Sequence, residues 1–170
     1  MTSQADVIFI NGCVLTMDTS RTVYHNGAVA VSGRDIVEIG LCDDILAKYQ
    51  APTVVDCSDC LIMPGLVNTH THAPMTLLRG LADDLRLDVW LMGYVMPVER
   101  QFVTPEMCYL GTRLACAEMI RSGVTCFADM YYFEDQVAQA TADSGLRAVC
   151  CETILKFPAP DATSYEHSLA

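Results

Sequence analysis

Residues 64–72 read Pro64-Gly65-Leu66-Val67-Asn68-Thr69-His70-Thr71-His72, straight after the apolar Leu61-Ile62-Met63. Two of the chain's four histidines stand here, one residue apart. The continuous apolar run predicts a strand buried on both faces, as in a parallel sheet covered by helices. In a strand, residues i and i+2 leave from the same side, so His70 and His72 project together while Thr69 and Thr71 face away. Two imidazoles on one face, at the carboxyl end of a parallel strand, can bind one divalent ion; the plainer alternative is a pair of polar loop residues. Neutral imidazole suits zinc, iron, nickel or copper better than magnesium or calcium.

Downstream of this stretch the pattern is helix and strand in alternation. A helical region is expected from about Leu85 to Arg100. Thr104-Pro105-Glu106 then supplies an N-cap, a proline at the first helical position and an acid in the first turn. Met107, Leu110, Leu114, Ala117 and Ile120 keep helical spacing, and Gly123 suits the stop. Val124 to Asp129 reads as a strand, Glu134 to Ser144 as a helix ended by Gly145, and Leu146 to Cys151 as a further strand. The order strand, helix, strand, helix, strand implies parallel βα units and an α/β fold. A closed (β/α)8 barrel takes about 200 to 250 residues, so residues 61–170 suffice for roughly its first three units.

Upstream, residues 1–60 read as a small β domain. Val7 to Ile10 runs through Asn11-Gly12, a tight-turn pair, into Val14 to Met17. A second hairpin is expected from Ala28–Val31 and Ile36–Gly40 around Ser32-Gly33-Arg34, then a short helix from Asp43 to Tyr49 and a strand at Thr53–Asp56. No catalytic constellation stands out here. The expected division is therefore 1–60 and 61–170.

Composition narrows the partners. The net charge is −11 over 170 residues, and an acidic surface repels phosphate backbones, which argues against nucleic acid. No apolar run approaches the ~18 residues that cross a bilayer, and no basic segment precedes the first apolar stretch, so neither a membrane nor a secretory leader is expected. The nine cysteines are odd in number and several lie in apolar runs, which reads as free thiols in a cytoplasmic protein.

The segments PGLVNTHTHAPMTLLRGLADDLRLDVWL, SGVTCFADMYYF, SGLRAV, NGCVLTMD and RDIVEIG together resemble the amidohydrolase superfamily. The likeness is to the branch holding S-adenosylhomocysteine/5'-methylthioadenosine deaminases with their chlorohydrolase and guanine deaminase relatives. It implies a metal-dependent (β/α)8 TIM barrel, cut to its first units, behind a small β-sandwich-like domain. It implies hydrolytic deamination of an adenosine thioether, or alternatively attack on guanine or an s-triazine. It implies one divalent metal, zinc first and iron second, on His70 and His72, with the remaining ligands and the proton-shuttling acid lying downstream. The substrate is then a small heterocycle, and the full-length protein is compatible with a homo-oligomer. Glu99 stands 27 residues after His72, where nucleoside-deaminating members carry a ribose-binding glutamate. Trp90 lies on the same segment and is a candidate for an apolar pocket wall.

A reading of another class is a non-catalytic scaffold or fragment that keeps the fold, and the 170-residue chain alone is expected to be inactive. Other signals count for little. Cys57-Ser58-Asp59-Cys60 is a CxxC with no second pair at finger spacing. Asp83-Asp84 is expected in a solvated loop, His167 is given no metal role, and Asp129, Arg79 and Glu152 fit capping or supporting roles as well as chemical ones.

Overall fold

The structure, a computed structural model, describes residues 2–169. Two compact units divide between Pro64 and Gly65.

In the first unit a sheet runs in the order β4 (Asp35–Leu41), β3 (Val23–Ser32), β2 (Val7–Leu15), β6 (Thr53–Asp56), and β7 (Leu61–Ile62) also pairs with β2. A two-stranded ribbon, β1 (Ser3–Gln4) with β5 (Tyr49–Gln50), and helix α1 (Cys42–Lys48) complete it. Leu61-Ile62 therefore does not lead into the histidine strand; it closes the first unit against Cys13 and Val14 of β2, which carries the division to residue 64. Asn11-Gly12 is not a hairpin turn either. Val7–Leu15 is one strand, and Asn11, at φ 62°, lies where its pairing with β3 shifts register. A β-bulge takes the same left-handed residue as a tight turn, and the chain continues straight because β6 and β7 pair with the other edge of β2. Ala5, Ile8, Ala28, Ala30, Cys42 and Ile45 form the core.

The second unit is a parallel sheet in the order β10 (Arg147–Glu152), β9 (Val124–Tyr131), β8 (Leu66–Thr71). A 3₁₀ segment (Ala73–Leu78) follows β8, then α2 (Leu87–Val89), a π-helical turn (Trp90–Val95) and α3 (Met96–Phe102) as one helical run. Pro97 has no N–H to give to the carbonyl of residue 93, and Met96 N–H reaches back to the Leu91 carbonyl, so the ladder widens there. Helix α4 (Pro105–Arg121) starts at Thr104, whose hydroxyl accepts from Met107 N–H at 3.2 Å. Helix α5 (Glu134–Ser144) joins β9 to β10, and a short α6 (Tyr165–Ser168) ends the described chain.

Two further expectations are corrected. Strand β8 is not buried on both faces: Leu66 is 49% and Val67 62% exposed, because β8 is an edge strand here. The buried strand is β9, which has neighbours on both sides and hides Phe127, Asp129 and Tyr131. The covered face of α4 is not the leucine stripe either. Leu110, Leu114, Ala117 and Ile120 are exposed, while Cys108, Gly111, Thr112, Ala115, Cys116 and Met119 are buried. Small residues are needed on that face because the 3₁₀ segment passes close by. A Cβ added at Gly111 would come within 2.5 Å of the Pro74 carbonyl oxygen.

Candidate active site

The carboxyl ends of β8 and β9 bring the two histidines to one place. Their ring centroids are 5.2 Å apart with the planes at 83°. His70 is exposed and His72 half-buried. The Nδ1 of His72 lies 2.6 Å from the Met130 carbonyl oxygen. A carbonyl only accepts, so Nδ1 carries the proton and Nε2 keeps its lone pair free for a cation. Imidazole donors of this kind fit zinc or ferrous iron. Among the described residues no group of three or more His, Cys, Asp or Glu side chains is arranged to hold a metal.

Beside His72 opens a cavity of about 410 Å³. Its wall includes Trp90 from the π turn, Glu99 from α3, Tyr131 at the end of β9, Tyr132 just after it, and Phe157 beyond β10. The lining is mainly apolar, and Glu99 is its one acid. Glu99 is only 5% exposed. Burial pushes its pKa up, and the phenol of Tyr131, the imidazole of His72 and the phenol of Tyr132 offset that in part. The Tyr131 hydroxyl is buried with no hydrogen-bond partner among the described residues. Burial, with Glu99 beside it, drives the Tyr131 phenol upward, and burial likewise pushes Tyr132 up to about 12. Both phenols stay protonated beside Glu99.

Sequence reasoning named His70, His72, Glu99 and Trp90, and missed the two tyrosines. Their signal was available: Tyr131 and Tyr132 follow VTCFADM at the carboxyl end of a parallel strand, where such folds gather their chemistry.

The other candidates lie elsewhere or act locally. Arg79 makes a two-pronged, exposed ion pair with Glu118 of α4, at 2.9 and 2.7 Å. Asp83 and Asp84 are exposed. The Nδ1 of His167 accepts from Thr163 N–H at 3.2 Å. Cys57 and Cys60 are free thiols in the turn between β6 and β7. Glu152 accepts from the backbone N–H of Glu134 at 3.1 Å.

The amidohydrolase family model matches residues 61–170. This chain belongs to the amidohydrolase family. A 5-methylthioadenosine/S-adenosylhomocysteine deaminase of Syntrophobacter fumaroxidans is 46% identical over 167 residues, 98% of this chain and 38% of the relative. A 5'-deoxyadenosine deaminase of Methanosarcina mazei is 51% identical over 144 residues, 85% of this chain and 32% of the relative. Among solved structures, an adenosine deaminase from Xanthomonas campestris with bound zinc matches at a TM-score of 0.94 and 39% identity, over 99% of this chain and 38% of the other. An atrazine chlorohydrolase from Arthrobacter aurescens matches at a TM-score of 0.77 and 19% identity, over 89% of this chain and 36% of the other, a likeness of fold alone. This amidohydrolase chain thus spans less than two-fifths of the length of these relatives. The family is one of metal-dependent hydrolases with a TIM-barrel-type fold. Among the described residues no helix is long and apolar enough to cross a membrane.

Proposed function

We propose that this amidohydrolase chain carries the first βα units of a barrel that hydrolytically deaminates an adenosine thioether, S-adenosylhomocysteine or 5'-methylthioadenosine. The observation that carries the reading is Glu99, a single buried carboxyl group in a mainly apolar cavity whose wall includes His72. An apolar chamber takes a purine ring and a thioether tail, and a carboxylate inside it accepts from two neighbouring ribose hydroxyls. A free base such as guanine, or an s-triazine, has no diol for that carboxylate. The names of the similar deaminases support the same substrate class.

His70 and His72 are the residues that would hold the divalent ion, and zinc is the first choice because the matching Xanthomonas deaminase has it bound. Such an ion, when bound, supplies a Lewis acid and lowers the pKa of water. The chain's own residues do the rest that falls to this part of the barrel. His72 is held in one tautomer by the Met130 carbonyl. Glu99 orients the sugar, Trp90 and Phe157 exclude water along the apolar wall, and the protonated phenols of Tyr131 and Tyr132 stand beside Glu99. The nine free cysteines suit a reducing compartment and support action in the cytoplasm.

The test is ammonia release by the intact protein carrying this sequence, with zinc, on S-adenosylhomocysteine, 5'-methylthioadenosine, 5'-deoxyadenosine, guanine and an s-triazine. Turnover of the adenosine compounds is expected. Turnover of guanine or the triazine with none of the nucleosides would sink the nucleoside reading, and no turnover of any would favour a scaffold.

A further inference from the structure

The β8–β9 ladder breaks where it matters most. The pairing shifts register between Asn68 and Thr71, so regular backbone bonds do not fix the span containing His70. Side-chain bonds take over there. Asp129 of β9 is 2% exposed, and its Oδ1 accepts from the Thr71 hydroxyl at 2.5 Å and from the Ala73 backbone N–H at 2.6 Å. Thr71 and Ala73 bracket His72 in the chain. Next along β9, the Met130 carbonyl accepts from the His72 ring. Adjacent residues of one buried strand thus grip three consecutive residues, Thr71 to Ala73, at and just past the end of the other.

We propose that Asp129 is a positioning residue that sets the backbone on both sides of His72 so that its ring, and that of His70 two residues before it, are held ready for a metal. The proposal rests on the metal reading given above. Two donors converge on one carboxyl oxygen, and together they tie the backbone on either side of His72 to β9. The Ala128 carbonyl, 2.9 Å from the same Thr71 hydroxyl, is the weaker acceptor for its single hydrogen. Supporting groups of a metal ligand decide how well it binds, because they remove the entropy of orienting it. A carboxylate kept only for stability would not need both its donors to come from the residues flanking one imidazole. Glu134 is a neighbour of Asp129, and its carboxyl oxygens and Asp129 Oδ2 are buried without a partner among the described residues.

The test measures zinc affinity of the intact protein, stripped by chelator and titrated against a competing fluorescent chelator, alongside thermal stability. Asp129→Ala is expected to weaken zinc binding by about 10- to 100-fold, as loss of a supporting partner does. Asp129→Asn keeps an oxygen for Thr71 and Ala73 and is expected to stay within about threefold of wild type. Thr71→Val removes one of the two donors with little change of volume and is expected to weaken binding by about three- to tenfold, so it decides the matter if Asp129→Ala does not fold. Wild-type zinc affinity in Asp129→Ala and Thr71→Val, with only the melting temperature lowered, would overturn the positioning role and leave the metal reading standing. A wild-type protein that binds no zinc would take both down together.

Discussion

The two units treat polar groups in opposite ways. In Met1–Pro64 most polar side-chain contacts meet water: Asn11 to Asp56 at 3.0 Å, Thr22 to Asp18, Lys48 to Glu38, all exposed. Its core is apolar. In Gly65–Ala170 lie all five buried polar or charged residues among the described ones: Glu99, Thr112, Asp129, Glu134 and Thr141. The buried side-chain oxygens that lack partners lie there too. Leaving such a group unpaired costs about 1–3 kcal/mol. A sheet unit that only has to fold avoids that cost, as the first unit does. The second unit accepts it chiefly around the carboxyl end of β9, at Asp129, Tyr131 and the nearby Glu134, next to the candidate ligands and the cavity. The contrast says where the sequence serves chemistry rather than stability.

The largest effect should come from the ligand pair. His72→Ala is expected to weaken zinc binding by more than about 100-fold, since it removes one of the two donors this chain supplies and the one already fixed in its tautomer. Direct metal analysis after dialysis checks it, and stoichiometric zinc in the variant would break the contrast at its strongest point. Glu99→Gln comes next. Losing a charged acceptor for ribose hydroxyls costs about 1.5–3 kcal/mol, so KM for an adenosine thioether should rise about 10- to 100-fold. The stability of the variant should be unchanged or higher, because a buried charge has gone. An unchanged KM would remove Glu99 from the substrate site.

A smaller effect separates buried from exposed acids by pH. Burial, with Asp129 beside it, pushes the Glu134 carboxyl up to about 8. Its folded value thus lies above its unfolded one, so the folded state holds the proton longer. That stability is fully present below the ordinary carboxyl range and is lost progressively as the pH rises towards about 8. Glu134→Gln removes the proton from the balance. Its melting temperature should therefore gain on wild type by about 2–6 °C on going from pH 5 to pH 8. Parallel pH profiles for the two proteins would show that Glu134 is not held neutral.

Much of this was legible in the chain, and the rest failed for physical reasons. Thr104-Pro105 and Gly123 mark helix ends because caps are local chemistry. The side on which His70 and His72 meet follows from the period of a strand alone. The burial of β8 did not follow from its composition, because burial depends on neighbours, and in this sheet β9 has two while β8 has one. Asn11-Gly12 carried the local signal of a turn, but two further strands pairing with β2 turned it into a bulge. On α4 the large apolar residues looked like the core face, yet the close passage of the 3₁₀ segment selects Gly111 and Ala115 instead. Asp129 was readable only as a polar residue at a strand end; its grip on Thr71 and Ala73 needs the register of two strands.

The smallest expected effect lies in the first unit and is the control for all the others. Lys48 and Glu38 form an ion pair between α1 and β4 in which both side chains are substantially exposed. The hydrogen bond and the charge of Lys48 hold Glu38 below the ordinary carboxylate range, and the pairing raises Lys48 in turn. Both groups meet water, which screens the attraction, and holding two long side chains in one geometry costs entropy. Glu38→Gln, Lys48→Met and the double variant should therefore all melt within about 1 °C of wild type at 0.15 M salt. The pair should contribute a little more at low salt, where the Debye length grows. A coupling as large as the Glu134 effect would mean that exposed pairs in this chain stabilise it as much as the buried acids disturb it, and the division between a folding unit and a chemical unit would lose its basis.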